Sequence, residues 1–131
     1  NKQFVSNIKA YCKKIGLPDG DKRVTDDPIE AAYFGVHVWK QAVEKAGAIE
    51  VDQVRKAVYG QKFLAPGREI MTDTGNQQTH KTVVIGEILK DGQFKVVSRS
   101  KGLVKPEPWS EYTNPEKGCD WISHQGTYQK K

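Results

Sequence analysis

Residues 26–47 read DDPIEAAYFGVHVWKQAVEKAG and carry the strongest local signal in the chain. Asp27 suits an N-cap, Pro28 the first helical position and Glu30 the third, where its carboxylate reaches back to the cap amide. Asp26, Asp27 and Glu30 also oppose the positive end of the helix dipole. The helix is predicted to run to about Ala46, with Gly47 just past its end. Its apolar stripe is read as Ile29, Ala32, Tyr33, Val36, Trp39, Val43 and Ala46, widened on one side by Phe34, Val38 and Ala42. So wide an arc predicts contact with more than one neighbouring element.

Outward from this helix, the periodicity of Phe4, Ile8, Tyr11, Cys12 and Ile15 predicts an earlier helix over residues 3–15, closed by Gly16 and Pro18. A turn-rich connector follows over residues 17–25. On the C-terminal side, Asp52 caps a short helix ending at Tyr59, with Val51, Val54, Ala57 and Val58 facing inward. Ala65-Pro66-Gly67 then breaks the chain. Residues 68–72 form a short strand and residues 73–76 a turn. The β-formers of 82–89 and 93–98 flank Asp91-Gly92, a two-residue hairpin signal of type I′. Both faces of that hairpin are apolar, so it needs covering from two sides. From Lys101 the periodicity fades into an extended tail in which Trp109, Tyr112, Trp121 and Tyr128 are large anchors. The whole reads as one incomplete α/β unit, residues 1–131, with a helical segment (1–60), a β-hairpin segment (61–100) and an extended tail (101–131).

The 131 residues fit one domain, and the 37% apolar and 28% charged content is that of a globular chain. No apolar run reaches the roughly 18 residues of a bilayer span. Residues 1–10 contain Lys2 and Lys9 but no apolar core of the signal-peptide kind. The net charge of +5 is spread in small clusters interleaved with acids. It forms no basic stripe with stacking aromatics, so no nucleic-acid partner is expected. Cys12 and Cys119 lie far apart without metal-ligand spacing, and a disulfide between them is left open. His37, His80 and His124 are isolated, and His37 and His80 read as solvated. No metal and no cofactor are expected. Nucleophile elbow, phosphate loop and dinucleotide glycine patterns are missing, so no catalytic residue is assigned and the chain reads as a non-enzyme.

Several stretches, taken in order, resemble the substrate-binding proteins of urea and short-chain-amide ABC importers, a branch of the type I periplasmic binding proteins. They are Arg23–Tyr33 (RVTDDPIEAAY), Val43–Gly47, Val51–Ala57, Tyr59-Gly60-Gln61, His80-Lys81, Val84–Ile88, Asp91–Phe94 and Pro108-Trp109-Ser110. The resemblance spans residues 23–109, covers about two-thirds of the chain and matches the C-terminal portion of such proteins. It implies a partial periplasmic-binding-protein-like unit, a non-catalytic role and a periplasmic or other exported location. Members have two lobes around a ligand cleft, and the core parallel strands precede the matching region. The resemblance therefore implies urea or a short amide as ligand of the intact parent only.

The same resemblance sets the start of the long helix near the cleft. There Asp26, Asp27 and Glu30 would accept from amide N–H groups and the Tyr33 phenol would donate to a carbonyl. Capping and core packing account for these four residues equally well without a ligand. The exposed apolar surface points to a protein partner or a second copy, with Trp39, Trp109, Tyr112 and Trp121 as anchors. Two functions follow. The chain is either a solute-binding-protein-like module, or a shortened descendant that serves as a structural or accessory subunit of a larger assembly.

Overall fold

A computed structural model describes residues 1–107. The element order is α1 (Lys2–Lys14), α2 (Asp27–Ala46), α3 (Val51–Val58), β1 (Lys62–Leu64), β2 (Glu69–Thr72), β3 (Thr79–His80), β4 (Val84–Ile88) and β5 (Phe94–Arg99). The fold is mixed α/β, with three helices ahead of two small antiparallel sheets. The β-hairpin expected from the sequence is β4–β5. The extended tail, with Trp109, Tyr112, Trp121 and Tyr128, lies outside the described residues beyond position 107, as do Cys119 and His124.

α2 begins one residue earlier than expected. Asp26, in extended backbone, is the cap, and its Oδ1 accepts from the Ile29 amide at 2.9 Å. Asp27 is therefore inside the first turn, and Glu30 does not close a capping box. The Glu30 carboxylate instead accepts from the Gly67 amide of another segment. A long-range partner outcompetes the local one because the β1–β2 turn passes directly over the first turn of α2. α3 is likewise capped by Glu50, not Asp52. Glu50 accepts from the amides of Asp52 and Gln53 at 3.0 and 2.9 Å, and these two bonds hold its carboxyl below the usual range.

The inward face of α2 centres on the widened side of the expected stripe, not on its middle. Phe34, Val38 and Ala42, at a strict spacing of four, are its buried residues, while Val36 and Trp39 stand more than half exposed. Phe34 and Val38 pack with Ala65 and Ile70 of the β1–β2 segment, and Ala42 packs with Val54 and Ala57 of α3. Ile70 is the most completely buried large side chain, at 2% exposure. α2 thus serves two neighbours along one narrow stripe, which is how a single helix joins a sheet at its start to a helix at its end.

β1, β2 and β3 form a three-stranded antiparallel sheet in sequence order, in the registers Phe63↔Ile70 and Met71↔His80. Only β2 was expected, since strands of two and three residues show no readable alternation. β4 and β5 pair antiparallel as expected, with a bulge between Ile85 and Gly86. Their connection is not the two-residue type I′ turn. Gly92 has φ +78°, but Asp91 does not share its positive φ. The Gly92 N–H donates to the Leu89 carbonyl at 3.0 Å and the Leu89 N–H to the Gln93 carbonyl at 2.8 Å. This is the three-residue loop in which a left-handed glycine closes a turn with a bulge. Asp91 stays out of the left-handed region because its Oδ1 accepts from the Gln93 amide at 3.0 Å and fixes the turn from within.

Candidate functional site

The long-range ties of the molecule converge on the first turn of α2. Pro28 and the Asp26 cap start the helix there, and its free amide ends favour carboxylates in that turn. Lys81, in the link between β3 and β4, reaches this turn from 54 residues away and forms an ion pair with Asp27. Its ammonium also stands 3.3 Å from Glu30 Oε2 and 5.5 Å from the centre of the Phe34 ring. Burial pulls the Lys81 ammonium down, but the hydrogen bonds and charges of Asp27 and Glu30 outweigh it and hold its pKa above the usual lysine value. Lys81 is further fixed by backbone pairing, since its carbonyl accepts from the Val104 amide at 2.8 Å.

A cleft of about 370 Å³ opens beside this knot. Asp27 and Glu30 of α2 line it together with Gly67, Arg68, Glu69 and Ile70 of the β1–β2 segment. Thr82, Val84, Val96 and Arg99 line it from the hairpin side. A second recess of about 450 Å³ adjoins it across Asp27, Glu30, Gly67 and Val84, and includes Asp26. Three of the four expected ligand residues are therefore brought together at one place. Tyr33 is not with them. It lines a separate groove between α1 and the β1–β2 turn, in tilted ring contact with Phe4 at 5.1 Å and His37 at 4.6 Å between ring centres.

His37 is not solvated as expected. It is half-buried, and its ring lies nearly parallel to Phe63 at 5.0 Å. His80 is not solvated either. Its side chain is 13% exposed and its Nε2 lies 2.7 Å from Asp73 Oδ2. Asp73 Oδ1 accepts from the Gly75 and Asn76 amides at 2.7 and 3.1 Å. The Gly75 amide and then the His80 ring hold the Asp73 carboxyl below its usual range, against the opposing effect of burial. This pair fixes the β2–β3 turn and lines neither the cleft nor the recess beside it. Among the described residues no group of three or more His, Cys, Asp or Glu side chains is arranged to hold a metal ion.

Sequence reasoning missed Arg68, Lys81, Thr82 and Arg99. All four stand on segments with no motif of their own, and only the approach of the hairpin base to α2 gathers them. Trp39, expected as a partner anchor, is 55% exposed on the outer face of α2. Trp109, Tyr112 and Trp121 lie outside the described residues. Every residue of β4 and β5 is exposed, including Val84, Ile85, Ile88, Phe94, Val96 and Val97.

Residues 1–115 match the family model of the periplasmic binding protein domain, and the chain belongs to that family. The search of curated proteins gave no match. Membership defines a partial solute-binding-protein-like module, from a family that is in general non-enzymatic, takes small-molecule ligands and points to an exported compartment. Among the described residues no helix is long and apolar enough to cross a membrane.

Proposed function

We propose that this chain is a non-catalytic solute-binding module derived from the urea and short-chain-amide importers, and that it supplies one wall of a ligand cleft. The observation that carries this reading is the meeting of Asp27 and Glu30 on the cleft beside Lys81, with Asp26 in the adjoining recess. Their charge is held in place there by the helix start and by an ammonium that does not dissociate at physiological pH. Sites for small polar ligands need groups converging from both sides of a cleft. Here the hairpin side offers Thr82, Val84, Val96 and Arg99, and the cleft stays open. The chain by itself therefore holds a neutral amide weakly. Tyr33 belongs to this reading only as a support for α2, because it stacks away from the cleft.

Amide shift mapping with acetamide and urea tests the proposal. Weak, non-saturating changes confined to Gly67, Arg68, Lys81 and Thr82 are expected up to tens of millimolar. Saturable micromolar binding, or changes only at other surfaces, would contradict it.

A second reading, a structural or accessory subunit of a larger assembly, draws on a different observation. Both strands of the hairpin are exposed along their length, together with Trp39. Contiguous apolar surface of that kind marks docking sites for protein partners.

A further inference from the structure

The polar groups of the cleft divide into two sets. Its carboxylates already have partners: Asp27 and Glu30 share Lys81, and Glu69 faces Lys62 at 3.7 Å. Its guanidiniums do not. Arg68, on the turn into β2, and Arg99, at the end of β5, line the same cleft from different segments, and among the described residues neither pairs with an acid. The Thr82 hydroxyl, on the same lining, makes no hydrogen bond to the described residues. The groups left to face a ligand are thus mostly donors, two of them permanently charged. Ile70, Val84 and Val96 supply an apolar surface beside them.

We infer that this cleft takes a small carboxylate with a short apolar substituent, in preference to the neutral amide of the same shape. The inference rests on the cleft being the ligand face proposed above, and it specifies the charge of the solute. A carboxylate oxygen gives each guanidinium a charge-assisted hydrogen bond, where an amide offers one neutral oxygen and an N–H₂ group that meets Arg99 or Arg68 donor to donor. Arg68 and Arg99 stand on different segments, so the site forms only when the hairpin base is held against α2 by Lys81.

The test uses an isosteric pair, isobutyrate and isobutyramide, titrated into the chain at pH 7 with the Arg Nε–H and backbone amides observed. Isobutyrate is expected to shift Arg68, Thr82 and Arg99 with an affinity roughly tenfold or more above that of isobutyramide, the gain of a hydrogen bond to a charged group. The exposed substitutions Arg68→Gln and Arg99→Gln should each erode that preference while leaving the rest of the spectrum unchanged. Equal affinities at the cleft would overturn the carboxylate inference and leave the solute-cleft reading standing. Isobutyrate shifts spread over the lysine-rich surface would also overturn it, as non-specific anion binding. No shift at the cleft with either compound would overturn both readings.

Discussion

Lys81 Nζ stands 3.3 Å from Glu30 Oε2, and the same ammonium pairs with Asp27 in the same first turn of α2. This contact joins the base of the exposed hairpin to the helical part of the fold and sets the width of the cleft between them. Its removal should loosen that junction without disturbing the Phe34–Ile70 core.

Lys81→Met is expected to cost about 1–2 kcal/mol, between the value of an exposed ion pair and that of a buried one. Thermal melting at low ionic strength measures it, since salt would screen the pair. The same contact has a pH signature. The folded Lys81 pKa is raised, so its contribution is fully present below the ordinary lysine value of about 10.4 and is lost as pH rises through the folded value. The wild-type melting temperature should fall above that pH more steeply than that of the Met variant. An identical alkaline limb in the two proteins would show that the pair contributes nothing.

Acid acts on the other fixed turn. Asp73 is held below its usual pKa by the Gly75 amide, His80 and the Asn76 amide. Its contribution is therefore present above the unfolded value of about 3.9 and is lost as pH falls through the lower folded value. Melting followed from pH 5 to pH 2 should show a decline that Asp73→Asn shares less, since the Asn oxygen still accepts from the two amides but carries no charge. Glu50, depressed by its two capping amides, adds to the acid limb independently.

Two glycines make opposite predictions. A Cβ at Gly20 would stand 2.7 Å from the backbone of Cys12 and Lys13, so Gly20→Ala must push the connector off α1 and should destabilise by about 1–3 kcal/mol. A Cβ at Gly35 meets nothing within 4 Å on the exposed side of α2. Gly35→Ala should stabilise by about 0.5–1 kcal/mol through helix propensity alone. Thermal melting of the two variants side by side decides both.

The exposed hairpin predicts association. Sedimentation velocity at tens of micromolar should show self-association or a dye-accessible apolar surface, little changed by salt because the driving term is apolar burial. Ile85→Lys or Ile88→Lys should reduce it. A cooperative monomer that binds no dye would remove the protein-partner reading of this surface and of Trp39.

The helices, the hairpin and the importance of the α2 start were legible in the sequence because each rests on local chemistry: an aspartate ahead of Pro28, Gly47 past Ala46, and β-formers around Gly92. The inward face of α2 was not legible. The helix is apolar around much of its circumference, so periodicity alone does not distinguish Phe34, Val38 and Ala42 from Val36 and Trp39. That choice is made by Ala65 and Ile70, whose packing against α2 is a long-range event that the helix's own pattern does not carry. The site was legible by half. Asp26, Asp27 and Glu30 share one turn, whereas Arg68, Lys81, Thr82 and Arg99 are gathered by the β3–β4 link folding back, a long-range event without a local signature. The pairing of His80 with Asp73 escaped notice for the same reason, since it depends on the β2–β3 register.

The central claim is that the cleft between the first turn of α2 and the hairpin base is the ligand face. A crystal of the chain soaked in concentrated acetamide tests it most directly. Ordered acetamide is expected in the cleft, against Gly67, Arg68 and Thr82 and within reach of Asp27, with the Lys81–Glu30 contact intact. Ordered acetamide only elsewhere, as in the groove beside Tyr33, or a cleft that stays empty at that concentration, would contradict the account.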